Sequence, residues 1–406
     1  MLKKTLRRST LAVTNRVTRT VRVLLKDEAA SGKFLLAAVA IALLFMNSPW
    51  SSAFEQLWTQ TLTISIGNWA IAETVQHWID EGLMAIFFLV VGLEIKREIV
   101  KGELRTLRAA SVPIVAAIGG MAVPAIIYMA INNGQQGFSG WGIPMTTDIA
   151  IAVGVLALLG NRIPSALRLF LLTLAVVDDI GAILIIAVFY SQAVNLTALA
   201  VAAGILLCIG ILQWLRLLNF GIFVMLGIAL WFAFHASGVH AAIAGALLGL
   251  SAPIVSRRKD KRAIAGRLER ALIPVSAFVV VPLFALANAG VAFSVNAFDE
   301  RAAILAGIGI VAGLVIGKVL GIVGATWLLV KLTSARLPKE VSWRLLSGAG
   351  LLAGIGFTLS IFIAEIAFTS ESLTQAAKIS IFVASLLSAG LGLAWLWRAT
   401  RRQLTQ

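Results

Sequence analysis

Two adjacent aspartates, Asp178 and Asp179, interrupt an otherwise apolar run, Leu169 to Tyr190 (LFLLTLAVVDDIGAILIIAVFY). As a helix this run is roughly 33 Å long at about 1.5 Å per residue, enough to cross a bilayer. One carboxylate at mid-membrane costs roughly 2.5–3.5 kcal/mol on insertion scales, and two side by side also repel each other. A chain that keeps such a pair stabilises it with a proton, a cation or a positive side chain. The residues therefore point to cation or proton handling inside a membrane. Successive residues lie about 100° apart around a helix, so the two cannot share one orientation. One can face a cation cavity while the other approaches a basic partner.

Asp148 and Lys318 are the other ionisable residues deepest in apolar surroundings, Lys318 within GIGIVAGLVIGKVLGIVGATWLLV. A lone lysine there must be expelled, neutralised or paired. Three carboxylates against one ammonium leave a surplus of two negatives, which a fully paired structural network would not need and a site alternating between cation and protons would. Carboxylate oxygens with backbone carbonyls and the Thr147 hydroxyl suit a small hard cation. A second cluster, Glu94, Lys96, Arg97 and Glu98, follows FFLVVG, and Glu269 and Arg270 open a later apolar run. Glu94 and Glu98 share a helix face. The cluster reads either as a salt-bridged helix end or as a cation funnel and pH-responsive network.

The elements that position these residues are membrane spans. The chain of 406 residues is 59% hydrophobic and 13% charged, with mean hydropathy +0.94; a soluble domain averages about 25% charged. Apolar runs give about twelve spans, centred near Ala40, Phe88, Ala122, Val153, Leu174, Ala202, Leu226, Ala246, Val280, Val315, Gly356 and Ser385. With a cytoplasmic N-terminus, every one of the 34 Lys and Arg except Arg301, Lys318 and Lys378 falls in an inside segment. The net charge of +15 is thus topogenic and places both termini in the cytoplasm; no nucleic-acid partner is expected. The fourth span is interrupted at Gly142–Asp148 and the eleventh at Gly348–Thr358 by helix breakers. Each is the middle member of a trio, spans three to five and ten to twelve. Paired broken segments in corresponding positions are a pointer to a transporter site, though membrane glycines also serve simple packing.

Residues 1–27 form a basic extension, either a tail on anionic lipid or a regulatory or targeting segment. Residues 28–399 are one transmembrane domain and 400–406 a cytoplasmic tail. Within the domain, residues 59–67 alternate Leu62, Ile64, Ile66 with Thr61, Thr63, Ser65. This reads as a strand, whose edge would invite a second subunit, or as a loop with chance alternation. Cys208 alone excludes an intrachain disulfide, and the three dispersed histidines, His77, His235 and His240, argue against a histidine-rich metal site.

TTDIAIAVGVLALLG, LAVVDDIGAILIIAVFY, GLMAIFFLVVGLEIKRE, SGVHAAIAG, PLFALANAGV, GLVIGKVLGI and GIGFTLSIFIA together closely resemble the NhaA family of bacterial sodium/proton antiporters, over roughly Glu28 to Trp397. The resemblance implies an all-α polytopic fold of two inverted-topology repeats whose broken helices, spans 4 and 11, cross at mid-membrane. It implies an electrogenic antiporter, not an enzyme, in the bacterial inner membrane, exporting sodium or lithium for protons in pH and sodium homeostasis. Asp179 would be the principal cation ligand and proton carrier, Asp178 its neighbour engaging Lys318 when no cation is bound, and Thr147 a border of the site. Asp148 and Lys318 would balance the dipole ends of the crossed helices. Glu94, Arg97, Glu98 and Glu269 would form the cytoplasmic pH-response cluster, and residues 59–67 a homodimer contact. No cofactor is implied. Three features depart from the best-known member: Arg270 and Ile273 replace histidines, Glu81 replaces an aspartate, and the basic extension is added. A cation-coupled symporter of an organic solute is the nearer alternative. An intramembrane aspartyl protease is the remote one, since it gives Lys318 no role.

Overall fold

The computed structural model describes residues 28–66, 69–191, 194–254, 263–292 and 298–401. The 1–27 extension, Gly67 and residues 402–406 lie outside them. Helix α1 (Glu28–Met46) is followed by α2 (Ser51–Thr59), turned 116° from it. Strands β1 (Thr61–Ile66) and β2 (Trp69–Thr74) then pair antiparallel, with Thr61 opposite Thr74 and Ile66 opposite Trp69. The alternating segment is therefore a strand that finds its partner within the same chain. Leu62 and Ile64 remain exposed on it.

The helices that follow are α3 (Met84–Lys101), α4 (Leu107–Ile131), α5 (Ile149–Ala157), α6 (Ser165–Phe189), α7 (Leu196–Trp214), α8 (Phe220–Ser237) and α9 (Ala242–Ser251). Then come α10 (Ile264–Asn288), α11 (Arg301–Leu332), α12 (Trp343–Ala353), α13 (Phe357–Ala367) and α14 (Glu371–Arg401). Among the described residues, seven helices are long and apolar enough to cross a membrane, and ten spans result if each bent pair counts as one. Two further expected spans are the charge-bearing α3 and the ten-residue α9. The chain is an all-α polytopic membrane protein.

Both expected breaks are present. A 3₁₀ helix, Gln136–Met145, meets α5 at 45°, and α12 meets α13 at 46°. The first break has a local cause: Asp148 takes the extended conformation and its carboxylate accepts from Ile151 N, capping α5. At the second, Gly354, Ile355 and Gly356 leave the helix, and Phe357 has φ +24°, a costly value for an aromatic residue.

Helices α4 and α11 are the first members of the two trios, and they pack at backbone contact. A Cβ on Gly119 would fall 2.3 Å from the Gly321 carbonyl oxygen, and one on Gly321 would fall 2.0 Å from that of Gly119. Only glycines allow this approach, which in a membrane supplies the dispersion contacts that replace a hydrophobic driving force. Directly before Lys318, residues Gly313–Gly317 widen α11 into a π-helical stretch. Such a stretch is costly and concentrates at functional positions. Here it sets the direction in which Lys318 leaves the helix.

Candidate functional site

The two broken segments cross, and their contacts are made by the residues at the breaks. Asp148 N donates to Ile355 O at 2.6 Å. One oxygen of the Asp148 carboxylate accepts from Ile151 N at 3.2 Å. The other accepts from Thr358 N at 3.2 Å and from the Thr358 hydroxyl at 2.5 Å. Ile151 belongs to the first turn of α5 and Thr358 to the first turn of α13. One buried carboxylate therefore satisfies the positive N-terminal ends of both half-helices.

The negative ends are treated separately. Lys318, fully buried, donates from Nζ to Met145 O, the end of the 3₁₀ helix, at 2.5 Å. It also donates to Asp178 Oδ2 at 2.5 Å. The end of α12 receives a hydroxyl instead: Thr147 Oγ1 lies 2.8 Å from Ala353 O and 2.7 Å from Asp178 Oδ2. A hydroxyl has one proton, so it can donate to only one of them at a time.

Asp178 and Asp179 divide as their angular separation requires. Asp178 turns to Lys318 and Thr147. Asp179 turns to a cavity of about 260 Å³ whose lining includes Glu94, Thr147, Asp148, Leu172 and Thr358. Both aspartates are buried, and each keeps one oxygen, Oδ1, that has no hydrogen-bond partner among the described residues. A buried carboxylate oxygen without a donor is unfavourable unless something else supplies positive charge. Asp179 Oδ1, with Thr147 and Asp148 around the same cavity, forms an oxygen-rich setting for a small hard cation.

The expected cytoplasmic cluster is only partly gathered. Glu94 lines the cavity. Arg97 is exposed, Glu98 accepts from Glu103 N at 2.7 Å, and Glu269 is half-buried on α10. Among the described residues no salt bridge joins Arg97 to Glu269.

Sequence reasoning missed two features. Thr358 was legible only as part of a break, and its hydroxyl on Asp148 follows from the crossing. The three histidines, scattered along the chain, converge: His77, His235 and His240 all approach Glu81. No spacing signal joins them, because His235 and Glu81 are 154 residues apart.

The profile of a family described as Na+/H+ antiporter 1 matches residues 22–396. The chain is 46% identical to Na(+)/H(+) antiporter NhaA 1 of Clostridium beijerinckii, over 91% of this chain and 92% of that protein. It is 44% identical to the NhaA antiporter of Bordetella bronchiseptica, over 93% and 96%. With the antiporter NhaA of Citrobacter koseri it shares 43% identity, over 91% and 96%.

Proposed function

Since this chain belongs to the Na+/H+ antiporter 1 family, we propose that it exchanges sodium for protons at Asp179, with Asp178 and Thr147 completing the site and lithium as an alternative cargo. The observation that carries the assignment is the division of the pair. Asp178 is held by Lys318 and Thr147, while Asp179 lines the cavity with an unpartnered buried oxygen.

In this mechanism sodium and protons compete for one pair of carboxylates. A cation that reaches Asp179 through the cavity past Glu94 draws Asp178 into its shell, and Lys318 gives up its hold on Asp178. Protons delivered from the other side neutralise the carboxylates and release the cation. An empty, doubly charged site is costly to move through lipid, so occupied forms switch sides and the fluxes are coupled. Asp148 and Lys318 keep the crossing neutral during the movement. With two carboxylates exchanging protons against one monovalent cation, transport is electrogenic, and export of sodium serves pH and sodium homeostasis. A protease dyad fits poorly, because Lys318 occupies the Asp178 oxygen that a second carboxyl would need to share.

Two further elements of this reading rest on surface features. The exposed face of β1, with Leu62 and Ile64, suits the contact of a homodimer. The distribution of Lys and Arg supports cytoplasmic termini in a bacterial inner membrane, with anionic lipid at that face. Arg97, Glu98 and Glu269 remain the proposed outer part of the pH-responsive funnel behind Glu94.

The test uses purified protein in proteoliposomes with an imposed pH gradient and a pH-sensitive dye. Sodium or lithium should collapse the gradient; potassium and choline should not. Asp179→Asn should abolish the response. Sodium-driven collapse at the parent rate in that variant would overturn the assignment.

A further inference from the structure

The three histidines of this chain meet at one carboxylate, far from the aspartate pair in sequence and outside the transport cavity. His235 Nδ1 lies 2.6 Å from Glu81 Oε2, His77 Nε2 lies 3.6 Å from the same oxygen, and His240 Nδ1 lies 3.8 Å from Glu81 Oε1. The ligating atoms of His77, Glu81 and His235 all fall within 4.8 Å of one another. His240 Nδ1 is buried and has no hydrogen-bond partner among the described residues.

The surroundings hold these groups in place. Residues Trp78–Leu83 form a π-helical stretch, which turns Glu81 toward α8. The His235 ring stacks on Trp231 at 5.3 Å and 8°, and Trp231 stacks on Trp78 at 6.0 Å and 17°. Trp231 Nε1 also donates to Glu81 O at 3.1 Å. Gly238, with φ +75°, reverses the chain after α8 and brings His240 back to the carboxylate. The neighbouring Asp80 is engaged by Asn288 at 2.6 Å, which leaves Glu81 as the central acid, with Glu73 at the rim 3.9 Å from His77.

We propose that His77, Glu81, His235 and His240 form a binding site for a divalent transition-metal ion of the zinc class. Imidazole nitrogens with one carboxylate are the donor set for such an ion and are unsuited to magnesium or calcium, which take oxygen ligands. Zinc bonds of about 2.0–2.2 Å in a tetrahedron require ligand atoms about 3.3 Å apart. Among His77, Glu81 and His235 the separations bracket that value and stay within 4.8 Å, so small side-chain movements let these three close around an ion, and His240, 3.8 Å from the other Glu81 oxygen, swings in as the fourth ligand. On binding, the ion takes the place of the hydrogen that His235 Nδ1 shares with Glu81 Oε2; a neutral imidazole then carries that hydrogen on Nε2, and an imidazolium gives it up to solvent. Access runs past His77, whose side chain is 42% exposed. The ion ties the segment between β2 and α3 to α8 and to the turn before α9. It also fixes His240 against Phe362 of α13, 5.8 Å away edge to face. Because Phe362 belongs to the crossing segments, occupancy should slow their movement.

The experiment is a calorimetric titration of tag-free, chelator-stripped protein in detergent with zinc chloride, in two buffers of different ionisation enthalpy, with magnesium chloride as the comparison ion. The expected result is one zinc per chain, proton release that diminishes as the pH of the titration rises, and no comparable magnesium binding. His235→Ala and His77→Ala should each weaken zinc at least about tenfold. His77 is exposed enough that its replacement leaves the fold intact, which an unchanged thermal unfolding midpoint in zinc-free buffer will verify. Absence of zinc binding, or zinc binding unchanged in His77→Ala and His235→Ala, would overturn the proposal. Binding is read without transport, so its failure leaves the antiport assignment untouched, and a failed antiport test leaves this one standing.

Discussion

The two breaks bend by nearly the same angle, 45° and 46°, but are built differently. The first, Thr146-Thr147-Asp148, supplies side chains: a capping carboxylate, a hydroxyl on Asp178, and a hydroxyl 3.0 Å from Ser360 Oγ. The second, Gly354-Ile355-Gly356, supplies backbone: the Ile355 carbonyl to Asp148 N, and the end of α12 at Ala353 to Thr147. Compensation is equally uneven. Both N-terminal ends share Asp148. One C-terminal end has the full charge of Lys318 and the other only the Thr147 hydroxyl. In the proposed mechanism the first break carries the chemistry, and the second opens a path for it. A segment with backbone polar groups exposed to one another can cross a membrane only where such partners satisfy it.

That asymmetry can be broken most severely at Asp148. Asp148→Ala leaves Ile151 N, Thr358 N and the Thr358 hydroxyl without their acceptor, each at about 1–3 kcal/mol when buried. Both half-helices lose their N-terminal partner together. The thermal unfolding midpoint in detergent, followed by tryptophan fluorescence, should fall further than for any other single change at the crossing. Asp148→Asn retains an acceptor and should fall less. A midpoint for Asp148→Ala within about a degree of the parent would mean that the two ends do not share this carboxylate.

Lys318→Met comes next. It strips the Met145 carbonyl and leaves Asp178 buried without its cation, an arrangement that costs about 3–5 kcal/mol when one partner of a buried pair is removed. The loss should be smaller than at Asp148, because Asp178 can take up a proton and become neutral, whereas a backbone N–H cannot change its state. Adding Asp178→Asn to Lys318→Met should restore part of the lost stability, and the double-mutant cycle measures the pair. If the two changes are simply additive, Lys318 acts on Met145 alone and the comparison shifts toward the helix end.

How much of this was readable beforehand follows the range of the interactions. The angular split of Asp178 and Asp179 and the capping role of Asp148 are local consequences of helix geometry, so adjacent residues disclose them. The breaks announce themselves by glycine, proline and threonine within apolar runs. Lys318 was legible as a buried charge, but its bond to Met145 O joins residues 173 apart, and only the crossing brings them together. Thr358 on Asp148 is hidden for the same reason. The histidines show the limit most clearly. His77 and His235 lie in different helices with unremarkable neighbours, and their common target, Glu81, registered only as a substitution for aspartate. Their meeting depends on the π-helical turn at Trp78–Leu83 and on the reversal at Gly238, neither of which has a periodic signature.

The smallest change gives the finest discrimination between the breaks. Thr147 and Thr358 each place a hydroxyl on an aspartate, at 2.7 and 2.5 Å. Replacement of either by valine removes one hydrogen bond at nearly constant volume, worth about 0.6–1.5 kcal/mol within a membrane protein. If the first break carries the chemistry, the two variants should lose similar stability and differ in transport. Thr358 also lines the cavity, but its hydroxyl is committed to Asp148, whose other donors Ile151 N and Thr358 N remain in Thr358→Val, so apparent sodium affinity should fall less than in Thr147→Val. Thr147→Val removes a donor from Asp178 and an oxygen from the cavity that Asp179 lines, so sodium affinity should fall, and Thr147→Ser should recover most of it. The measurement is the sodium concentration for half-maximal gradient collapse in proteoliposomes. Equal shifts in both valine variants would show that the hydroxyls act only by holding the crossing together, and the functional distinction between side-chain break and backbone break would fail even though the structural one stands.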